Sequence, residues 1–438
     1  RLVPLTAVEM PRVTYVDEQG QTLPENTPAE NIRYSIYDIT IKPGIYYQPH
    51  PAFAMVDGKY RYHQLTEEEI EDLNTVADLP YVGTKELTVD DYIIQIKRLA
   101  LPALHSPIYG VMARYIKGLD DLQARLATAH KMVMKQLDLR TFSLSGVKKI
   151  DDYHFQIIIN GKYPQFMYWL AMPFFAPVPW QVDHFFSQPG MNDNNLTLSW
   201  YPVGTGPYML TENNPNKAMV LAKNPNFHGE VFPNDGSEAD IAKGYMANAG
   251  LEMPFVDKIV FSLEKESIPR WTKFLQGYYD NSAISSDSFD QAITVDSNGE
   301  PDLTSELKDK GIRLSTVVSP MIFYLGFNMM DPIVGGASER ARKLRQAISI
   351  AVDYKEYIAI FLNGRGIVAE GPIPPGIFGY AKRPNPIMNK SLAQAQALLA
   401  EAGYPQGMDA QTGVPLVLNY DVPATSGPDD KARFSWMR

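Results

Sequence analysis

The chain has 438 residues, of which 45% are hydrophobic and 21% charged, with a net charge of −10 and a pI near 5.3. That length and composition fit two or three packed domains. The acidic balance, without a basic patch interleaved with aromatics, argues against a nucleic-acid partner, and the absence of cysteine excludes disulfides and thiolate metal sites.

No run of about 18 apolar residues is present to cross a membrane as a helix. The chain opens RLVPLT, with neither a charged n-region nor an apolar h-region, so a signal peptide is expected to be absent or removed. The 25 tyrosines and 34 prolines supply turns and amphipathic aromatic surface, which suits a ligand cleft as well as a Tyr-rich core.

In chain order, Asn31–Tyr47 alternates as β structure. Ile32, Tyr34 and Ile36 share one parity and Tyr37, Ile39 and Ile41 the other, with a switch expected at Tyr37-Asp38 and a turn at Pro43-Gly44. Glu67–Asp78, within an insertion at 55–85, reads as an acidic helical segment with a solvated face. Thr88 as N-cap and Asp91 as its capping-box partner open a helix, with Tyr92, Ile93, Ile96 and Leu99 at helical spacing. Tyr109–Ala129 is helical with a break at Gly118, and Val147–Asn160 reads as strand, turn, strand around Asp151-Asp152.

In Tyr163–Trp180 the spacing of Phe166, Trp169 and Leu170 predicts a core-facing helix, and Pro177-Val178-Pro179 a lead-in to the next strand. Trp200–Gly229 reads as a hairpin behind a rigid loop. Gly204-Thr205-Gly206-Pro207 makes a tight turn, Tyr208-Met209-Leu210 starts a strand, Asn213–Asn216 turns, and Ala218–Ala222 returns. Phe255–Phe261 reads as a strand, Ile268–Asp280 as a short helix, a glycine and a strand start, and Asp296–Pro301 as a loop. Glu339–Leu362 reads as one long helix with an apolar stripe of Leu344, Ala347, Ile348, Ala351 and Val352, stopped by Asn363-Gly364. Ser391–Gly403 is a second helix, Leu416–Tyr420 the next strand, and Pro428-Asp429-Asp430 opens a final helix.

Motifs for catalysis or metal binding are missing. The seven histidines stand apart, and there is no H-E-x-x-H, G-x-S-x-G, G-x-G-x-x-G or Walker loop. Asp151-Asp152 and Asp429-Asp430 are adjacent pairs that point to different faces, unlike a convergent general acid and base. Neither an enzyme nor a cofactor is expected, and binding is the stronger class.

The residues PVGTGPY (Pro202–Tyr208) and NPNFHG (Asn224–Gly229), at the two ends of the hairpin, resemble the PVGTGPY…RNPNYWG segment of the extracellular solute-binding proteins of the peptide/nickel importer family. Further blocks are similar to the family pattern: LTVDDYIIQIKR from Leu87, FYLGFN from Phe323, RKLRQAISIAVDYKEYI from Arg342, GPIPPGIFGY from Gly371, and LLAEAGYP from Leu398. The insertion at 230–248 has no counterpart.

The resemblance implies an α/β fold, that of a two-lobed periplasmic binding protein of type II with an extra β-rich subdomain, and a chain truncated at both ends. The first lobe would be 1–265, with the subdomain at about 1–180. The second would be 266–438, incomplete at its C-terminal end. FYLGFN is implied to be a strand. The implied function is non-covalent capture of a peptide-like solute in a cleft that closes by hinge motion, outside the cytoplasm, by a monomer that serves a cognate ATP-binding-cassette permease. A receptor for a nickel chelate, an oligosaccharide or a peptide antibiotic is the alternative on the same scaffold, and a secreted hydrolase the alternative from another class.

In the family's oligopeptide binders a carboxylate for the ligand ammonium lies just past the strand that follows LLAEAGYP. The matching region, Tyr420–Lys431, offers Asp430 first, then Asp429 and Asp421, with Tyr420 beside them. Tyr109, Tyr115, Phe323 and Asn328 are the further cleft candidates.

Overall fold

A computed structural model describes residues 2–132, 137–295, 301–383, 385–387, 390–422 and 428–438. The chain divides into two compact units, Arg1–Leu263 and Glu264–Arg438.

The first unit is built on a five-stranded antiparallel sheet of order β2-β1-β3-β7-β6, formed by β1 (Arg12–Val16), β2 (Thr22–Leu23), β3 (Tyr34–Thr40), β6 (Val147–Lys149) and β7 (His154–Asn160). Register explains its core face. Ser35 lies opposite Ile159, Tyr37 opposite Ile157 and Ile39 opposite Phe155, and all six are buried. Residues directly opposite share a face, so the parity of each strand fixes one shared apolar surface. The parity switch expected at Tyr37-Asp38 does not occur: Tyr34, Ile36 and Asp38 stay together on the half-buried face.

A small hairpin, β4 (Met55–Val56) and β5 (Lys59–Tyr60), precedes α1 (Glu67–Glu71); the acidic segment is thus one short helix followed by a 3-10 turn at Val76–Asp78. Helices α2 (Val89–Arg98), α3 (Tyr109–Tyr115), α4 (Leu119–Met132), α5 (Phe166–Leu170) and α6 (Trp180–Phe186) cover the sheet and bury Ile94, Ile96, Met112, Leu119, Leu122, Phe166 and Phe185. The break between α3 and α4 falls at Gly118, which has φ 72°. Pro179 leads into helix α6 rather than into a strand: it is the N-cap, with φ −67° and ψ 143°, and its missing N–H costs the helix no internal hydrogen bond.

At the start of α2, Asp91 has two tasks. It closes the capping box with Thr88, and it accepts from Lys85 Nζ at 2.7 Å while itself 1% exposed. Burial pushes its carboxyl above the usual range, against the pull of Lys85.

A three-stranded antiparallel sheet, β8 (Tyr208–Asn214), β9 (Ala218–Lys223) and β12 (Lys258–Ser262), has β9 at its centre. The 230–248 insertion supplies β10 (Glu230–Val231) and α7 (Glu238–Ala242), capped by Ser237 and Asp240; β10 pairs with β11 (Glu252–Met253).

In the second unit, α8 (Ser267–Leu275), α9 (Ser286–Ala292), the hairpin β13 (Ile293–Val295) and β14 (Pro301–Leu303), and α10 (Ser305–Asp309) enclose Trp271, Ala292, Leu303 and Leu307. The strand start expected at Tyr278–Asp280 is not formed. Of the loop expected at Asp296–Pro301, residues 296–300 lie outside the described residues and Pro301 opens β14.

The long helix is two helices, α11 (Glu339–Ala351) and α12 (Tyr354–Leu362). Asp353 sits between them as N-cap, its carboxylate accepting from Lys355 N and Glu356 N at 3.0 Å each. An aspartate that satisfies two free N–H groups starts a new helix as readily as it continues an old one. Helix α13 (Leu392–Glu401) packs on α11 around Leu344, Ala402 and Tyr404. The last helix is α14 (Pro428–Met437).

Neither 323–328 nor 416–420 forms a strand. Both are strand-like in composition, yet neither has a ladder partner among the described residues, and an extended segment becomes a strand only by pairing.

Candidate functional site

The two halves of the hairpin signature are joined by hydrogen bonds to each other and to the core of the first unit. Gln48, 6% exposed, holds one side of the glycine loop. Its N–H donates to Gly204 O at 2.9 Å, its Nε2 to Pro202 O at 3.3 Å, and its Oε1 accepts from Gly204 N at 3.1 Å. Asn224, 5% exposed, holds the other side: Nδ2 donates to Gly206 O at 2.9 Å and N–H to Pro207 O at 2.9 Å.

Asn224 Oδ1 also accepts from Asn226 N at 3.0 Å, and Asn226 Nδ2 donates to Tyr47 O at 2.7 Å, which accepts from Thr84 Oγ1 at 2.6 Å as well. The buried side-chain amides of Gln48 and Asn224 are matched at both ends, which rigidifies the loop. The asparagines of NPNF are thus a clamp on GTG. Gln48 escaped the sequence reading because no spacing links position 48 to position 204; the only signal was a glutamine in the aromatic run Tyr46-Tyr47-Gln48-Pro49-His50.

The carboxylate candidates lie in the second unit. Asp430 stands in the first turn of α14, half-buried. The Asp429 side chain and residues 423–427 lie outside the described residues. Tyr420 and Asp421 are exposed. Burial raises the Tyr354 phenol at the start of α12, with a further push from Tyr420, so Tyr420 lies near that helix end. Helix α14 is held on α12 by Trp436, whose Nε1 donates to Glu356 Oε2 at 3.1 Å and whose ring is 5.4 Å from Tyr357 and 6.1 Å from Phe361. Asp430 is therefore carried on an anchored helix, while Tyr420 and Asp421 are on irregular chain.

The other candidates do not join them. Phe323 is 85% exposed, in an unpaired segment. Asn328 is a turn residue whose Oδ1 accepts from Met330 N at 3.0 Å. In the first unit, Tyr109 packs half-buried against the main core, and burial, with Asp120 adding, raises its phenol. Tyr115 stacks on Tyr163 with ring centroids 4.0 Å apart and planes at 6°.

One concavity of about 170 Å³ in the first unit is lined by Ile94, Leu139, Arg140, Trp180, Asp183 and His184, among others. Its charges are matched internally. Arg140 lies 3.7 Å over the Trp180 ring and forks onto Asp138, whose carboxyl it holds below the usual range, and Arg98 pairs with Asp183. Among the described residues no group of three His, Cys, Asp or Glu is placed to hold a metal, and no helix is long and apolar enough to cross a membrane.

Residues 83–433 match the family model of the bacterial extracellular solute-binding proteins, family 5 Middle. Among curated proteins, the chain is 24% identical over 280 residues to heme-binding protein A of Haemophilus influenzae, covering 64% of this chain and 43% of that protein. It is 24% identical over 264 residues to the dipeptide-binding protein of Escherichia coli, covering 60% of this chain and 41% of that protein. Among solved structures, it is similar to the ABC transporter-associated periplasmic binding protein DppA from Helicobacter pylori in complex with peptide STSA. That likeness has a TM-score of 0.54 at 17% identity and covers 93% of this chain and 59% of that one. The chain thus spans less than two thirds of the length of the proteins it matches, and at these identities the structural likeness shows the α/β fold of the two-lobed periplasmic binding proteins. With the family model running unbroken from 83 to 433, the chain belongs to the bacterial extracellular solute-binding proteins, family 5.

Proposed function

We propose that this chain is the solute-capturing part of a receptor that works outside the cytoplasm with an ATP-binding-cassette importer, and that its solute is a peptide. The observation that carries the reading is the family match over 83–433. It is supported by relatives named for dipeptides and for an ABC transporter-associated protein in complex with a peptide. The two units would be the receptor's lobes, its partner a cognate permease and its working form a monomer. The relatives are named as binding proteins, and we assign no catalytic step.

A peptide zwitterion calls for a fixed carboxylate opposite its ammonium and for main-chain partners along its length. We assign the carboxylate to Asp430, with Asp429 second and Asp421 third; Tyr420 flanks them. What supports Asp430 is its half-buried place on α14, which the Trp436 anchor holds in position. Tyr109, Tyr115, Phe323 and Asn328 rank below it, because each has a packing or turn role, or no neighbour, that accounts for its position.

The test is calorimetric titration of the full-length protein with short peptides, wild type against Asp430→Asn. Losing a buried charge pair with the ammonium is expected to weaken binding by at least about tenfold, or roughly 1.4 kcal/mol. Equal affinity of the two proteins would remove Asp430 from the site.

A further inference from the structure

We propose that the loop Gly204-Thr205-Gly206 is a docking point for an extended peptide backbone, that of the solute; this rests on the peptide reading above. Neither glycine is demanded by the chain's own fold. Both lie outside the positive-φ region. A Cβ built on Gly204 would meet only Gly206 N, at 4.0 Å, and one built on Gly206 would meet nothing within 4 Å. A glycine with ordinary φ and open space beside it is free to carry a side chain, unless something from outside must come close to the backbone.

The loop also has polar groups to spare. Gly204 N–H and C=O and Gly206 C=O are used by Gln48 and Asn224. The Thr205 N–H, C=O and hydroxyl and the Gly206 N–H bond to no described residue, in a stretch that is half-buried rather than fully solvated. The clamp from both sides means these groups are presented without reorganisation, and pre-organisation lowers the cost of binding. Thr205 offers one donor and one acceptor between two residues that have no Cβ, which fits the C=O and N–H of one residue of an extended peptide and is indifferent to its side chain; the Gly206 N–H points opposite to the Thr205 C=O, since the two share one trans peptide.

The experiment compares full-length wild type with the double variant Gly204→Ala/Gly206→Ala, and with Gly206→Val, by thermal melting and by titration with alanine peptides from dipeptide to pentapeptide. The structure predicts an unchanged or raised Tm in the double variant. Its Kd for the peptides that wild type binds should be raised at least tenfold, and Gly206→Val should be worse. Wild-type affinity in the double variant would overturn the loop and leave the peptide reading standing. A lowered Tm would show that the glycines serve the fold, and would overturn the proposal too. Failure of wild type to bind any of these peptides would overturn both readings.

Discussion

Gly83 shows how a single missing atom holds a crossing. Its N–H and C=O both pair with His50, at 3.1 and 2.9 Å, and a Cβ there would lie 2.2 Å from Phe53 O. Backbone cannot yield as a flexible side chain can, so Gly83→Ala is expected to destabilise the first unit by about 1–3 kcal/mol, read by urea unfolding. Unchanged stability would mean that the crossing is looser than described. His50 itself is 5% exposed, packed on Phe53, Phe185 and Phe186, with Nδ1 accepting from Ala52 N at 3.1 Å. Burial pushes its pKa down to about 3, and that of His63 down to about 4. Below about pH 6.5 the unfolded chain takes up protons that the folded one refuses, so this stability is full above that pH and is lost as pH falls towards the folded pKa values. Between pH 6.5 and 4.5 His50 alone accounts for about 2–3 kcal/mol. A His50→Asn variant, which keeps an acceptor for Ala52 N–H and cannot titrate, should show a flatter fall of Tm with acid than wild type; parallel curves would contradict the assignment.

Among the elements, those with their own end signals were legible in the sequence. Thr88 with Asp91 and Ser391 with Gln394 close capping boxes, and Gly118 and Asn363 take the left-handed conformations that end or break helices. β3 and β7 were each legible as strands, though neither their pairing nor the unbroken parity of β3 was, and the signature hairpin was legible through its turn residues. Three things were not. The stripe over Glu339–Leu362 hid the stop at Asp353, because apolar periodicity continues across a cap that acts through its side chain. Segments 323–328 and 416–420 look like strands, but pairing belongs to two segments and cannot be read from one. The clamp by Gln48, and the link from Lys85 to Asp91, join residues that no local pattern relates. Asp353→Ala should cost the second unit about 0.5–2 kcal/mol, since it frees the N–H groups of Lys355 and Glu356; unfolding by denaturant measures it, and a neutral result would contradict the cap.

For the whole molecule, the sequence carried the family well and the site poorly. The family rests on short blocks spread along the chain, from Leu87 to Pro405, and the match over 83–433 agrees with them. The binding residues rest on Tyr420–Lys431, where a loop without a motif separates the candidates from the last recognisable block. The most direct test of the receptor reading is native mass spectrometry of the full-length protein, purified without unfolding. Capture of peptides by backbone and terminal charge predicts a co-purified mixture of short-peptide masses. A single non-peptide mass would contradict the peptide assignment, and no bound mass even after addition of peptide mixtures would contradict capture itself.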